Sequence, residues 1–220
     1  MSTDLAQHAW WLASRASGIV ALVLVTISVG LGLTMAGRWA RRPGLPRVLT
    51  AIHEQTAVTA LVAIGLHGVT LLGDPWLNPG PAGIAVPFTI AYRPLWTGFG
   101  ILAGYLAALL GLTFYVRRRI GPRLWRQAHK LTVVVYGLAV AHTLGAGTDA
   151  STPWMRIWLF ATAPVIAVLF ITRVVGARRA GRGKRTTERP AHRPHPRAPR
   201  HPHLPDMRVG ARAAISEDPA

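Results

Sequence analysis

The chain contains no cysteine, which excludes disulfides, thiolate metal sites and iron–sulfur clusters. Acidic side chains are scarce: 8 Asp and Glu stand against 25 Lys and Arg, a formal net charge of +17. No complete dinucleotide fingerprint is present either. GFGILAG, from Gly98 to Gly104, has the wrong final spacing and no βαβ context around it. Met1 to Gln7 carries Asp4 and no Lys or Arg, so it lacks the basic n-region of a cleavable signal peptide. No nucleic-acid motif accompanies the positive charge, which lies in short segments beside apolar spans and in the C-terminal tail. That distribution is what membrane topology demands, and no nucleic-acid partner is expected.

What fills the rest of the 220 residues is apolar, at 50% hydrophobic with a mean hydropathy of +0.30. This composition points to an all-α integral membrane protein. Five segments can cross a hydrocarbon core of ~30 Å. They are Trp10 to Met35, Leu49 to Gly73, Leu95 to Val116, Arg123 to Asp149, and Trp154 to Val175. The expected organisation is a short outer N-terminus over 1–9, a five-helix transmembrane domain over 10–175, and a disordered basic tail over 176–220. The tail is Arg, Pro, Gly and His with almost no apolar periodicity, and such a segment cannot bury enough surface to fold alone. Its His192, His195, His201 and His203 are a metal site in principle, but belong more naturally to a disordered segment resting on anionic lipid headgroups.

Orientation follows from the basic residues. Arg38, Arg41, Arg42 and Arg47 crowd the first connection; Arg117, Arg118, Arg119, Arg123, Arg126 and Lys130 crowd the third. The N-terminus and the second and fourth connections are poor in Lys and Arg. The positive-inside rule then sets a multi-pass plasma-membrane protein with its N-terminus outside and its C-terminus in the cytoplasm.

Ionisable groups inside apolar spans are costly and mark function by default. The second span holds His53 and His67, 14 residues apart (67 − 53); the fourth holds His129 and His142, 13 apart (142 − 129). At 1.5 Å per residue these separations are ~21 Å and ~20 Å. His53 and His129 fall at one depth, near the cytoplasmic side, and His67 and His142 at another, near the outer side. Two facing helices with paired histidines can grip two haems, each from both sides. Fourteen steps of about 100° leave His53 and His67 on one face, but thirteen fall ~140° short of full turns. Either the fourth span tightens locally, with Gly137 a candidate place, or the two centres are offset sideways. For each histidine alone the alternative is structural, a hydrogen bond to a neighbouring helix.

The two spacings, with LASRASGIVALVL in the first span and AHKLTVVVYGLAVAH in the fourth, resemble the ferric reductase-like transmembrane domain over roughly Trp10 to Asp149. That family includes the membrane halves of NADPH oxidases and ferric reductases, and a bacterial haem subunit serving a periplasmic methionine-sulfoxide reductase. The resemblance implies haem b, two per chain, with His53, His67, His129 and His142 as axial ligands in the pairs His53/His129 and His67/His142. It implies an oxidoreductase component that moves single electrons across the membrane. The larger oxidases have six spans where this chain has five, and no flavin or NAD(P)H site is expected after the fifth. The donor is then a separate protein or a membrane quinol, and the acceptor lies outside. A quinol-linked cytochrome b using one haem, and a non-redox helical membrane protein with structural histidines, are the alternatives.

Four further features bear on the site. Arg15, a turn inside the first span, either snorkels to the interface or meets a haem propionate bidentately. Glu54 could orient its neighbour His53 but is more simply solvated. The segment Ile84 to Ile90 is too short to span and is expected to cap the outer haem. Gly100 and Gly104 read as a small-xxx-small helix-packing face.

Overall fold

The computed structural model of the chain describes residues 2–37 and 44–187, with side chains for 8–37 and 44–179. Most of the expected disordered tail, residues 188–220, and Arg38, Arg41 and Arg42 of the first basic connection lie outside the described residues. Contacts divide the chain into two units, Met1–Gly181 and Arg182–Ala220, and the site lies in the first.

Every regular element among the described residues is helical. Helices satisfy their backbone within the segment, which a hydrocarbon environment requires. Helix α1 is Ser2–Ala36 and α2 is Leu45–Leu71, the latter opened by Gly44 at φ +83° and a proline in its first turn. A short helix α3, Gly80–Ala85, interrupts the following connection. Helix α4, Pro94–Ile120, starts on its proline and ends with Arg117, Arg118 and Arg119 in the last turn, where cations suit the negative end of the helix dipole. Gly121 at φ +86° then turns the chain into α5, Pro122–Ala128. A 3₁₀ turn over His129–Leu131 leads to α6, Thr132–Ala146, and α7 is Pro153–Thr187.

Among the described residues four helices are long and apolar enough to cross a membrane: His8–Ala36 within α1, α2, α4, and Pro153–Arg179 within α7. The span expected from Arg123 to Asp149 is not one such helix. It is α5, the 3₁₀ turn and α6 in succession, and α6 alone has 15 residues, below the ~20 needed to span. At the break the His129 carbonyl accepts the Thr132 N–H, the i→i+3 bond of a 3₁₀ turn, and the Thr132 hydroxyl donates to the same carbonyl at 2.9 Å. Three residues at three per turn add about 60° over α-helical winding, cutting the expected shortfall between His129 and His142 from ~140° to ~80°. The tightening therefore sits at His129, not at Gly137, which lies within regular helix α6. Two other bounds also move. Helix α1 already begins at Ser2, and α7 runs on through Pro164 and past Val175 into the segment expected to be disordered from residue 176.

Helix α1 packs along α2 and α4 along α6; the two pairs meet where α2 touches α4 and α1 touches α6. Val25, Val29 and Leu33 of α1, Ala60 of α2, Leu110 of α4, Val135 and Tyr136 of α6, and Ile166 of α7 form one buried cluster. Outward-facing apolar side chains are abundant: Phe160 is 79% exposed and Ile157 68%. A water-soluble monomer does not present contiguous apolar area on that scale, whereas hydrocarbon solvates it at no cost.

Candidate functional site

The helix pairing brings the four histidines together as two facing couples. His53 of α2 meets His129 of the 3₁₀ turn with ring centroids 6.1 Å apart and planes at 86°. His67 of α2 meets His142 of α6 at 6.2 Å and 73°. All four line one cavity of about 1500 Å³ between the helices, larger than the ~300–1,000 Å³ of an ordinary ligand pocket.

Three of the four rings are seated in the same way. His67 Nδ1 lies 2.8 Å from the Ser14 carbonyl oxygen, His53 Nδ1 2.9 Å from that of Ser28, and His142 Nδ1 2.9 Å from that of Trp96. A carbonyl only accepts, so in each ring the Nδ1–H donates and the proton is fixed on that nitrogen. Nε2 keeps its lone pair. Four residues after each carbonyl stands a glycine against which the ring lies: Gly18 for His67, Gly32 for His53 and Gly100 for His142. A Cβ on Gly100 would come within 2.5 Å of His142 Nδ1, and one on Gly18 within 3.0 Å of His67 Nδ1. The missing side chain is what lets an imidazole reach the helix backbone. The hydroxyls of Ser14 and Ser28 add contacts at 3.2 Å to the same Nδ1 atoms.

His129 differs. Its Nδ1 is buried with no hydrogen-bond partner among the described residues. The ring instead stacks on Trp125, with centroids 5.1 Å apart and planes 23° from parallel.

This donor set fits a metal-centred cofactor at each couple. Two imidazole nitrogens bound in line at about 2.0–2.1 Å stand about 4 Å apart, and about 1 Å more from each nitrogen to its ring centre gives ~6 Å between centroids. Both observed separations match. The carbonyl partner on the far nitrogen is the usual support of a ligating histidine, raising its basicity and fixing its orientation. Among the described residues no group of three or more His, Asp or Glu is placed to hold a metal ion.

Arg15 has a partner that the sequence did not announce. Its guanidinium grips Asp149 with both Nε, at 2.7 Å, and Nη2, and lies 5.1 Å over the Trp11 ring. Asp149 is buried and follows the end of α6, so the pair ties α1 to the α6–α7 connection beside His67 and His142. Two of the guanidinium's five donors are thereby used. Glu54 is exposed, and the orienting contact of His53 comes from Ser28 instead. The α2–α4 connection folds over the cavity with Trp76, Ile84, Ile90 and Tyr92 in its lining. It is fastened to the end of α6 by Arg93 Nη1 donating to the Gly145 carbonyl at 2.5 Å. Gly100 turns out to be the seat of His142, while Gly104 lies near Ile64 of α2 and does serve helix packing.

Sequence reasoning missed the seats themselves, though a signal was present. Ser14 and Gly18 recur as Ser28 and Gly32 after 14 residues, the same interval that separates His53 from His67. Two antiparallel helices carrying one interval are in register at both places.

A family model described as the ferric reductase-like transmembrane component matches residues 17–140, more than half of the chain. The match contains His53, His67 and His129 and stops just short of His142. No curated protein and no solved structure matches the chain.

Proposed function

The chain belongs to the ferric reductase-like transmembrane family, and from that premise we propose that it carries electrons across the membrane through two bis-histidine haem b centres. Membrane electron transfer comes with the family; the number of centres, their ligands and the partners are our reading. The observation that supports it best is the pair of facing couples, His53/His129 and His67/His142, at matching 6.1 and 6.2 Å separations in one apolar cavity.

Haem held between two imidazoles has no open position for substrate and supplies reversible one-electron chemistry. The chain's own residues do the rest. The Ser14, Ser28 and Trp96 carbonyls hold His67, His53 and His142 in the tautomer that offers Nε2. The cavity walls around both couples are mostly apolar. Arg15, with three of its five donors not committed to Asp149, can also meet a cofactor carboxylate at the His67/His142 end. On this reading the spans number five, counting α5 through α6 as one. The N-terminus is outside and the tail is cytoplasmic, on anionic headgroups. The donor is a separate protein or a membrane quinol on the inner side, and the acceptor is outside in a plasma-membrane setting.

Purely structural histidines would account for the three carbonyl bonds. They would not of themselves require two facing couples at matching separations. The test is the absorption spectrum of the purified protein with a haem count. A Soret band with two haems per chain is expected, and a colourless, folded protein would overturn the proposal.

A further inference from the structure

Helix α1 seats two histidines of α2 at a 14-residue interval. If α4 treated the α5–α6 segment in the same way, a second glycine would fall about 14 residues after Gly100, because the 13 residues from His129 to His142 include a 3₁₀ turn that adds ~1.5 Å of rise, one residue's worth. That position is Phe114, and the matching carbonyl, 14 after Trp96, belongs to Leu110. Phe114 closes the place with a full aromatic ring. The Leu110 carbonyl accepts the Thr113 hydroxyl at 2.6 Å instead of an imidazole. Phe114 in turn meets Trp125 edge to face at 6.4 Å, Trp125 stacks on His129, and Arg117 lies 3.7 Å over the Phe114 ring. An aromatic stack thus stands where the fourth seat would be, and it leaves His129 Nδ1 buried without an acceptor among the described residues.

We infer that this broken seat makes the two redox centres unequal, with the His53/His129 centre at the higher reduction potential. The inference rests on the two-haem reading above. An Nδ1–H bonded to a carbonyl gives its imidazole more electron density, and the more basic ligand favours the oxidised metal. The His67/His142 couple has two such bonds and the His53/His129 couple has one. Hydrogen bonds made by the far side of a haem ligand tune the potential of the haem.

Charge acts in the same direction. The cavity lining includes Arg126 and Lys130, chain neighbours of His129, and Arg173, whose charge acts on His129, against Glu54 beside His53. At the other end, Arg15 is paired with Asp149 next to Ser14, the residue that holds His67. Positive potential favours the reduced centre and negative potential the oxidised one, so the electrostatic and ligand contributions reinforce each other. Trp125 is therefore a positioning residue: its face holds the His129 ring and keeps water and other acceptors from Nδ1.

The test is a redox titration of two single-centre proteins. His129→Ala retains the His67/His142 centre, and His142→Ala retains the His53/His129 centre. The midpoint of the latter is expected to be the higher. Equal midpoints, or the reverse order, overturn the inference while leaving the two-haem reading intact; a chain that binds no haem overturns that reading first and the inference with it. Two variants locate the cause. Trp125→Gln offers Nδ1 an amide oxygen and should lower the midpoint of the His53/His129 centre alone, whereas Trp125→Phe preserves the stack and should leave it in place. A Gln variant that holds its haem at an unchanged midpoint shows that His129 Nδ1 is not the cause. If the Gln variant loses that haem, the order of the single-centre midpoints still decides.

Discussion

Adding one methyl group to each glycine seat gives a graded test of the site. In Gly100→Ala the new Cβ would stand 2.5 Å from His142 Nδ1 and 2.8 Å from its Cε1 and Cγ, where ordinary contact is about 3.5–4.0 Å. The ring must retreat by about 1 Å, which stretches the 2.9 Å bond to the Trp96 carbonyl to about 3.9 Å, beyond hydrogen-bonding range. Losing such a partner typically costs 10–100-fold in metal affinity, or about 1.4–2.7 kcal/mol at 1.36 per tenfold. In Gly18→Ala the contact is 3.0 Å, so a shift of a few tenths of an ångström preserves most of the bond to Ser14 and the loss should stay below about tenfold. In Gly32→Ala the nearest atom is at 3.4 Å and affinity should barely change. The helices themselves should not suffer, since alanine is about 0.5–1 kcal/mol better than glycine in a helix interior. Titrating haem into the apo-proteins and following the Soret band gives the three affinities. An order other than Gly100, then Gly18, then Gly32 would refute the argument that these glycines exist to admit the imidazoles, as would a Gly100→Ala protein with unaltered affinity.

Other outcomes follow from the same geometry. His67→Ala and His142→Ala should each remove the same haem, and His53→Ala and His129→Ala the other; a spectrum in which the members of one couple delete different haems counts against the pairing. Arg15→Leu leaves the buried Asp149 carboxylate without its partner, so the midpoint of the His67/His142 centre should fall while the other stays nearly fixed, and Arg15→Lys should recover part of the shift because it keeps the charge and loses the fork. Thermal unfolding of Arg15→Leu, Asp149→Leu and the double variant should show strong coupling, with the double variant more stable than the sum of the singles allows. A reporter fused after Val175 should read as cytoplasmic, because the basic connections alternate with poor ones; a periplasmic signal from a full-length inserted protein would mean the span count is wrong by one.

The helical class and the long apolar segments were legible because hydrocarbon leaves the backbone few choices, so composition and run length carry most of the information. What composition could not give was the state of the segment from Arg123 to Asp149. Its hydropathy reads as one span, yet the winding changes from α to 3₁₀ over only three residues at His129, which hydropathy does not register. Helix ends were misjudged for a related reason. Arg117, Arg118 and Arg119 read as a connection because they are charged, but cations at a helix C-terminus stabilise its last turn rather than end it.

At the site, depth along the helices was enough to bring His53 to His129 and His67 to His142, because rise per residue is a fixed quantity. Azimuth was harder, since it compounds about 100° per residue and a three-residue 3₁₀ turn moves it by about 60°. The partners of the histidines were hidden because the sequence was read for side chains, and the acceptors are backbone carbonyls reached across glycines. The carbonyl of Ser14 is no different in sequence from any other; only Gly18 one turn later makes it reachable. The readable trace is an interval. Ser14 to Ser28, Gly18 to Gly32 and His53 to His67 share one spacing on two antiparallel helices, and that coincidence implies facing contacts at both ends. The same interval carried along α4 lands on Phe114 where it should land on glycine. His129 and His142 are 13 apart, so it takes the 3₁₀ turn at His129 to bring Phe114 to the matching place, and it is where the interval fails, rather than where it holds, that the two ends of the cavity differ.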